Sequence, residues 1–260
     1  MEIISVVNQK GGVGKTTTVI NLGATLAEKG KNILYVDLDP QANLTEGLGM
    51  LNEGKDTTYE LIKGEADFVD IILPLDFKRD GWGKIGLIPA DLRLANAELE
   101  LSGEMGRELL LREAWNESKD KLTEKNYDYV LIDTNPSLGI LTLNAVVLTD
   151  SVIIPVEPGI FSLSGMEKLV EVIGSVKKKF NPGLDVKGIL LTRVDGRTNM
   201  AKNFYETYQG KFNDRVFDVL INQNVDLNEA QTKGLPVNIF NPQSKGAENY
   251  RKLAEVIENG

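Results

Sequence analysis

Short apolar runs alternate along the chain with longer amphipathic stretches. Several of these runs are apolar throughout, as in Val130-Leu131-Ile132, which is typical of parallel strands covered on both faces. The strand candidates are residues 3–7, 33–36, 86–88, 129–132, 151–156, 186–191 and 216–220. Between them, apolar residues recur at helical spacing, as in Leu163, Met166, Leu169 and Ile173. This alternation predicts an α/β fold, with a mostly parallel twisted sheet, right-handed crossovers and helices on both faces.

The domain organisation is inferred from the length of the chain and from the absence of repeats and linkers in the sequence. With 260 residues, the chain suits one large α/β domain or two small ones. No internal repeat and no linker rich in proline, glycine or serine divides the sequence, so we predict a single domain over 1–260. The least regular stretch, about 52–84, contains several glycines and Pro74 and is interpreted as an insertion on that domain.

Composition and charge narrow the possible chemistry. Cysteine and histidine are absent, which excludes thiolate-bound clusters, the usual zinc sites and a histidine general base. A bound metal would therefore be a hard cation on oxygen ligands, such as Mg²⁺. The net charge of -9 disfavours nucleic-acid binding, although an acidic protein can still carry a local basic patch. There is no run of about 18 apolar residues and no signal-peptide pattern, so we expect a cytoplasmic protein without a membrane partner.

A glycine-rich loop follows the first strand. Helical sequence continues after it, from residue 19 to residue 28, which is the context of a phosphate-binding loop. The glycines let backbone N–H groups point at phosphate oxygens, and the helix N-terminus adds partial positive charge. Lys15 would neutralise the β- and γ-phosphates, and the Thr16 hydroxyl would bind Mg²⁺. We expect ATP to be bound by Gly11, Gly12, Val13, Gly14, Lys15, Thr16 and Thr17.

Two carboxylates follow apolar strands and should reach the same edge of the sheet as the loop. Asp133 closes the strand 129–132 and is interpreted as the Walker B residue, which holds Mg²⁺ through water. Asp39, which follows the strand 33–36, is the better candidate for orienting the attacking water. Thr16, Asp39 and Asp133 are therefore the expected metal-site residues. Taken alone, either aspartate could instead be a turn residue or a helix cap.

Together these motifs resemble the ParA-type partition ATPases, the deviant-Walker P-loop group that also contains MinD and the nitrogenase iron protein. The loop departs from the common P-loop pattern, since Gln9 replaces a glycine and Lys10 is an additional lysine. The resemblance covers nearly the whole chain, through residues 8–18, 36–43, 132–139, 141–145, 188–192, 195–199 and 234–237.

The resemblance implies a function and a set of partners. MgATP would drive a sandwich homodimer in which Lys10 reaches the partner's phosphates, so the expected catalytic residues are Lys10, Lys15 and Asp39. The dimer would bind duplex DNA non-specifically and associate with the nucleoid. A ParB-like adaptor protein and DNA would stimulate an otherwise slow hydrolysis, which returns the protein to its resting state.

Four departures from the family pattern affect these expectations. Asn222 replaces a proline that borders the adenine pocket, so Asn222 and Asn224 are expected at the base with altered contacts. Asn135 replaces a second proline beside Asp133, and its amide could bind phosphate or water, or cap the following turn; we favour the cap. Residues 159–165 differ from the family's motif. Arg193 stands where methionine is usual, near the adenine region or the surface behind it.

The DNA-binding residues are the least determined. Gln223 and Asp226 replace two family arginines, and a carboxylate at the second position would repel phosphate. The remaining candidates are Arg193, Arg197 and Lys202, of which Arg197 stands where the family keeps a DNA-contacting arginine. The alternative is that they are solvated charges on an acidic protein.

The leading hypothesis is therefore a DNA-segregation ATPase for a plasmid or chromosome. The alternative is a ParA-like positioning ATPase for a protein assembly, with weak or altered DNA binding. A MinD-like membrane switch is disfavoured because the segment 246–260 is acidic rather than basic and amphipathic. A metabolic phosphotransferase would need a second-substrate pocket, for which the sequence offers no motif.

Overall fold

The computed structural model describes residues 1–50, 55–77, 79–159, 162–195, 199–212 and 215–259. Its strands are β1 Glu2–Val6, β2 Ile33–Leu38, β3 Leu73–Leu75, β4 Ile85–Ile88, β5 Tyr129–Thr134, β6 Ser151–Val156, β7 Asp185–Val194 and β8 Val216–Asn222. Its helices are α1 Lys15–Glu28, α2 Asn43–Gly47, α3 Thr58–Ile62, α4 Leu94–Glu100, α5 Leu110–Glu124, α6 Ile140–Leu148, α7 Ser162–Lys179, α8 Asn199–Phe212, α9 Val225–Thr232, α10 Val237–Phe240 and α11 Lys245–Asn259.

The strands form an eight-stranded sheet in the order β3-β4-β2-β5-β1-β6-β7-β8. Every pairing is parallel except that of β3 with β4. The predicted fold class is confirmed, and each of the seven strand candidates corresponds to a strand. β3 was not predicted; it lies within the stretch 52–84, which also holds α3. Three residues centred on Pro74 are too short to show an alternating pattern.

Helices cover both faces of the sheet, which explains why the central strands are apolar throughout. Ile33 and Tyr35 of β2 enter a core with α1 and α11, whereas Leu34 and Val36 enter a second core with α5 and α6. Successive side chains of a strand point to opposite faces, so a strand buried on both sides needs apolar residues at every position. Within the described residues, no helix has the length and apolar character that a bilayer-spanning segment requires.

Gly23 permits the close approach of α1 to β2. A Cβ at this position would lie 2.4 Å from Cε1 of Tyr35, which is fully buried and whose hydroxyl donates to the Ile20 carbonyl at 2.8 Å. We expect Gly23→Ala to lower the free energy of unfolding by about 1–3 kcal/mol, because tight cores tolerate added volume poorly. Urea denaturation of the variant checks this value.

Gly174 provides the matched control. It is exposed on α7, and a Cβ there would meet nothing within 4 Å. Gly174→Ala should raise the free energy of unfolding by about 0.5–1 kcal/mol, because alanine loses less backbone freedom on folding. If the two variants were equally stable, the packing argument for Gly23 would be wrong.

Candidate nucleotide-binding site

The site lies where the carboxyl ends of the central strands meet. β1 lies between β5 and β6, and the chain leaves it directly into the glycine-rich loop. In the sheet register, Asp133 of β5 lies opposite Val6 of β1 and opposite Asp37 of β2. Ligands of open α/β sheets bind at such a point. The register therefore brings together carboxylates that are nearly a hundred residues apart in the sequence.

Two side chains at the start of the glycine-rich loop fix its position through hydrogen bonds. The Asn8 amide donates to the Pro155 carbonyl at 2.7 Å, and its Oδ1 accepts from the Lys10 backbone N–H at 2.9 Å. Gln9 donates to the Gly165 carbonyl at 3.1 Å, which ties the loop to α7. The residue that replaces the usual glycine therefore has a structural role that the motif did not reveal.

Glycine is required at two positions of the loop. Gly12 and Gly14 have φ angles of 76° and 88°, in the left-handed region that favours glycine. Gly14 immediately precedes α1, whose first N–H groups have no partner within the helix. The loop borders a cavity of about 410 Å³, whose lining includes these predicted residues: Gly11, Gly12, Gly14, Lys15, Thr16, Thr17, Asp39, Asn222 and Asn224.

Thr16 and Asp133 are in direct contact beneath the loop. The Thr16 hydroxyl donates to Asp133 Oδ2 at 2.6 Å, and the other oxygen, Oδ1, is buried without a hydrogen-bond partner among the described residues. Burial raises the pKa of Asp133 well above its usual range, and the nearby Asp37 carboxylate raises it further. A cation beside this pair would stabilise the carboxylate. The donor set of hydroxyl and carboxylate oxygens fits Mg²⁺.

The described residues contain no group of three or more acidic side chains that could hold a metal by themselves. Mg²⁺ usually keeps several waters and combines one or two protein ligands with substrate phosphates. Thr16 with Asp133 therefore suits a magnesium ion that arrives with a nucleotide.

Asp37 and Asp39 have different environments, which the sequence did not distinguish. Asp37 is fully buried and accepts from the Thr45 hydroxyl at 2.7 Å and the Thr45 N–H at 2.9 Å. Burial raises the pKa of Asp37 to about 6. Asp39 lines the cavity, and its Oδ1 also accepts from the Gln41 N–H at 3.0 Å. Asp39 therefore combines the predicted position at the cavity with a turn contact, while Asp37 is bound to Thr45 of α2.

The two lysines of the loop point to different places. Lys15 is 7% exposed; burial lowers its pKa, and the opposing charges of Asp133 and Asp39 counteract this effect. The Lys10 side chain is 56% exposed, and its Nζ lies 3.8 Å from Glu157 Oε2. The loop itself contains no obvious partner for Lys10, but the structure supplies one from the end of β6, and an exposed ion pair of this length is weak.

Asparagines surround the other end of the cavity. Asn222 donates from its backbone N–H and its amide to Asn249 Oδ1, at 3.2 Å and 3.1 Å. Asn224 Oδ1 is buried and has no hydrogen-bond partner within the described residues. The Asn222 amide is therefore bound to α11, whereas Asn224 Oδ1 can accept a hydrogen bond from a ligand. Asn249, 5% exposed, was not predicted, because a polar residue in an amphipathic helix carries no signal of its own.

Three further departures from the family pattern can now be located. Asn135 Oδ1 accepts from the Thr142 hydroxyl of α6 at 2.7 Å, which agrees with a structural role for this amide. Asp226 Oδ1 accepts from the Asn241 amide at 3.0 Å. Gln223 lines the cavity beside Asn222.

The DNA-binding candidates are only partly described. Arg197 lies outside the described residues. Lys202 is on α8, with a side chain 76% exposed and Nζ 4.0 Å from Glu206. Arg193 lines the cavity, and its Nη1 donates to the Gly12 carbonyl at 3.1 Å. Arg193 therefore lies against the phosphate-binding loop and lines the cavity, whereas the sequence placed it near the adenine region or the surface behind it.

Comparison with known proteins gives matches over nearly the whole chain. The sequence model of the AAA domain family matches residues 1–186. The sporulation initiation inhibitor protein Soj of Bacillus subtilis is 43% identical, over 100% of this chain and 99% of the relative. The chromosome partitioning protein ParA of Myxococcus xanthus is 40% identical, over 98% of this chain and 87% of the relative. A solved structure of cobyrinic acid a,c-diamide synthase from Mycobacterium smegmatis, with bound ATP analog and magnesium, has a TM-score of 0.82 and 32% identity, covering 100% of this chain and 95% of that chain.

Proposed function

The chain belongs to the ParA/Soj-type partition ATPases, and from this premise we propose that it segregates DNA, on a plasmid or a chromosome. MgATP drives two copies into a sandwich dimer that binds duplex DNA without sequence preference. A ParB-like adaptor protein and DNA stimulate hydrolysis, which releases the dimer. The observation that carries the proposal is a glycine-rich loop that contains both an exposed lysine, Lys10, and the partly buried Thr16 in contact with Asp133, in a chain similar to Soj from end to end.

The residues of the cavity divide the work of holding MgATP. N–H groups of the loop and of the start of α1 face the phosphates, and Lys15 neutralises their charge. Thr16 would hold Mg²⁺ directly and Asp133 would hold it through water, which would give Asp133 Oδ1 a hydrogen-bond partner. When bound, Mg²⁺ neutralises charge on the phosphate oxygens. Asp39 accepts a hydrogen bond from the attacking water and orients it toward the phosphate.

Lys10 completes the site only when a second copy arrives. Its exposed side chain is not among the residues that line its own cavity, and within the described residues its ammonium group has only the weak contact with Glu157. A cation supplied from across an interface stabilises the charge that develops on the phosphoryl group during transfer. Hydrolysis is therefore slow in the monomer, and ATP controls association.

A second candidate function keeps the ATPase and changes the cargo to a protein assembly, with weak or altered DNA binding. It is favoured by Asp226, a carboxylate on α9 where similar chains have an arginine implicated in DNA binding. The net charge of -9 also opposes association with DNA.

Binding to non-specific duplex DNA distinguishes the two candidates. We expect binding with ATP, but not with ADP or without nucleotide, and an affinity that falls steeply with salt because counterions are released. Arg197→Ala should weaken binding to all sequences alike and reduce the salt slope by about 1. Fluorescence anisotropy over a salt series measures both quantities.

Arg79→Ala is the matched control, since Arg79 is exposed in the connection between β3 and β4, at the amino end of β4. It should leave the salt slope unchanged. If ATP drives dimerisation, as measured by light scattering, but no DNA binds even at low salt, DNA segregation is ruled out and the positioning function is favoured.

A further inference from the structure

Arg193 has a backbone conformation that its side chain disfavours. Its φ is 54°, in the left-handed region where bulky residues are rare. The register between β7 and β8 shifts twice, and the second shift, between Thr192 and Val194, falls at Arg193. Bulges next to active sites turn a side chain in a new direction, and strained backbone is commonly retained at functional sites. Both observations indicate that the position of the Arg193 side chain is functionally important.

The side chain points over the phosphate loop. Thr192 donates to the Val13 carbonyl at 2.7 Å, and Arg193 donates to the Gly12 carbonyl at 3.1 Å. Two successive residues of β7 thus hold two successive carbonyls of the loop. The Thr192 bond is buried and explains how β7 supports the loop. The Arg193 side chain is 52% exposed and lines the cavity, so a purely structural tie would leave most of its five donors unused.

Glu157 connects Arg193 with Lys10. Its Oε1 lies 3.9 Å from Arg193 Nε, and its Oε2 lies 3.8 Å from Lys10 Nζ. The two cations therefore share one carboxylate beside Arg193, which itself lines the cavity. Contacts of nearly 4 Å between exposed side chains are weak, whereas a guanidinium binds phosphate oxygens in short, paired, charge-assisted hydrogen bonds. A polyphosphate in the cavity would displace the carboxylate.

We propose that Arg193 binds the polyphosphate of the nucleotide held by its own loop, and that Glu157 is its resting partner in the nucleotide-free chain. The inference rests on nucleotide binding at this loop, which is part of the proposed function. It gives Arg193 a role at the nucleotide rather than at DNA. Glu157 acts as a positioning residue that competes with the nucleotide.

Isothermal titration calorimetry with MgADP tests the proposal, since the diphosphate reports on a single chain without dimerisation. Arg193→Gly removes the cation and suits the positive φ, so the variant should fold at least as well as the wild type. We expect its dissociation constant for MgADP to rise about tenfold, as for a lost hydrogen bond to a charged group. Arg193→Lys keeps the positive charge but lacks the planar guanidinium group, so its dissociation constant for MgADP should lie between those of the wild type and Arg193→Gly. Arg79→Gly, which removes an exposed cation in the connection between β3 and β4, is the control for charge and should bind as the wild type does.

Glu157→Gln tests the competition. In the wild-type background, it should tighten MgADP binding about threefold. In the Arg193→Gly background it should have no effect, because the guanidinium for which Glu157 and the nucleotide compete is then absent. An unchanged MgADP affinity in Arg193→Gly overturns the proposal, as does a loss of duplex DNA binding with unchanged MgADP affinity, which would make Arg193 a DNA contact. A wild-type protein that binds no MgADP would instead overturn the proposed function.

Discussion

Asp39→Ala is expected to lower the rate of ATP hydrolysis by about 10²- to 10⁴-fold while ATP still binds. Asp39 lines the cavity and is 5% exposed, so its carboxylate can hold a water molecule that bulk solvent does not reorient. The groups proposed to bind the phosphates, Lys15 and the loop N–H groups, remain in this variant, and Asp133 still offsets the burial of the Lys15 charge. Phosphate release at saturating ATP measures turnover, and calorimetry with a non-hydrolysable ATP analogue measures binding.

The same variant should accumulate as a dimer with ATP, because association is intact and its reversal needs hydrolysis. Asp39→Asn separates chemistry from folding, since its Oδ1 can still accept from the Gln41 N–H that shapes the turn. Both variants should be equally slow. Asp80→Ala, an exposed carboxylate in the connection between β3 and β4, is the control and should turn over normally. Turnover near the wild-type rate in both Asp39 variants would remove this residue from the mechanism.

Lys10→Ala is expected to abolish ATP-driven dimerisation and to lower stimulated turnover by about 10³-fold or more, the size of effect known for a cation supplied in trans. MgADP affinity should stay near the wild-type value. Among the described residues, the exposed Lys10 side chain contacts only Glu157. The part of Lys10 that touches Lys15 is its backbone carbonyl, which alanine keeps. Static light scattering with and without ATP measures dimerisation.

Glu157→Gln serves as the control for Lys10. It removes the resting partner of the lysine but keeps the lysine itself, so it should dimerise with ATP at least as readily as the wild type. A Lys10→Ala protein that dimerises normally would show that the additional lysine has no role across an interface.

Much of the fold was predictable because its determinants are local. Each central strand is buried on both faces, so its apolar residues are consecutive and visible in the sequence. The loop was equally visible, since Gly12 and Gly14 adopt backbone angles that few other residues tolerate. Asp39 and Asp133 could be placed at one edge of the sheet because parallel strands end together there.

Only the tertiary structure determined the contacts between residues that are far apart in the chain. The sequence singles out Asp39 as a candidate, but only the structure shows that Asp37 is bound to Thr45, whereas Asp39 lines the cavity. No local pattern shows that Glu157 would lie between the two cations Lys10 and Arg193. Arg193 reaches the phosphate loop only because β7 is irregular at its end, and that irregularity depends on its pairing with β8. A sequence pattern reports which face of an element is buried, whereas the partner of a polar side chain depends on how distant elements meet.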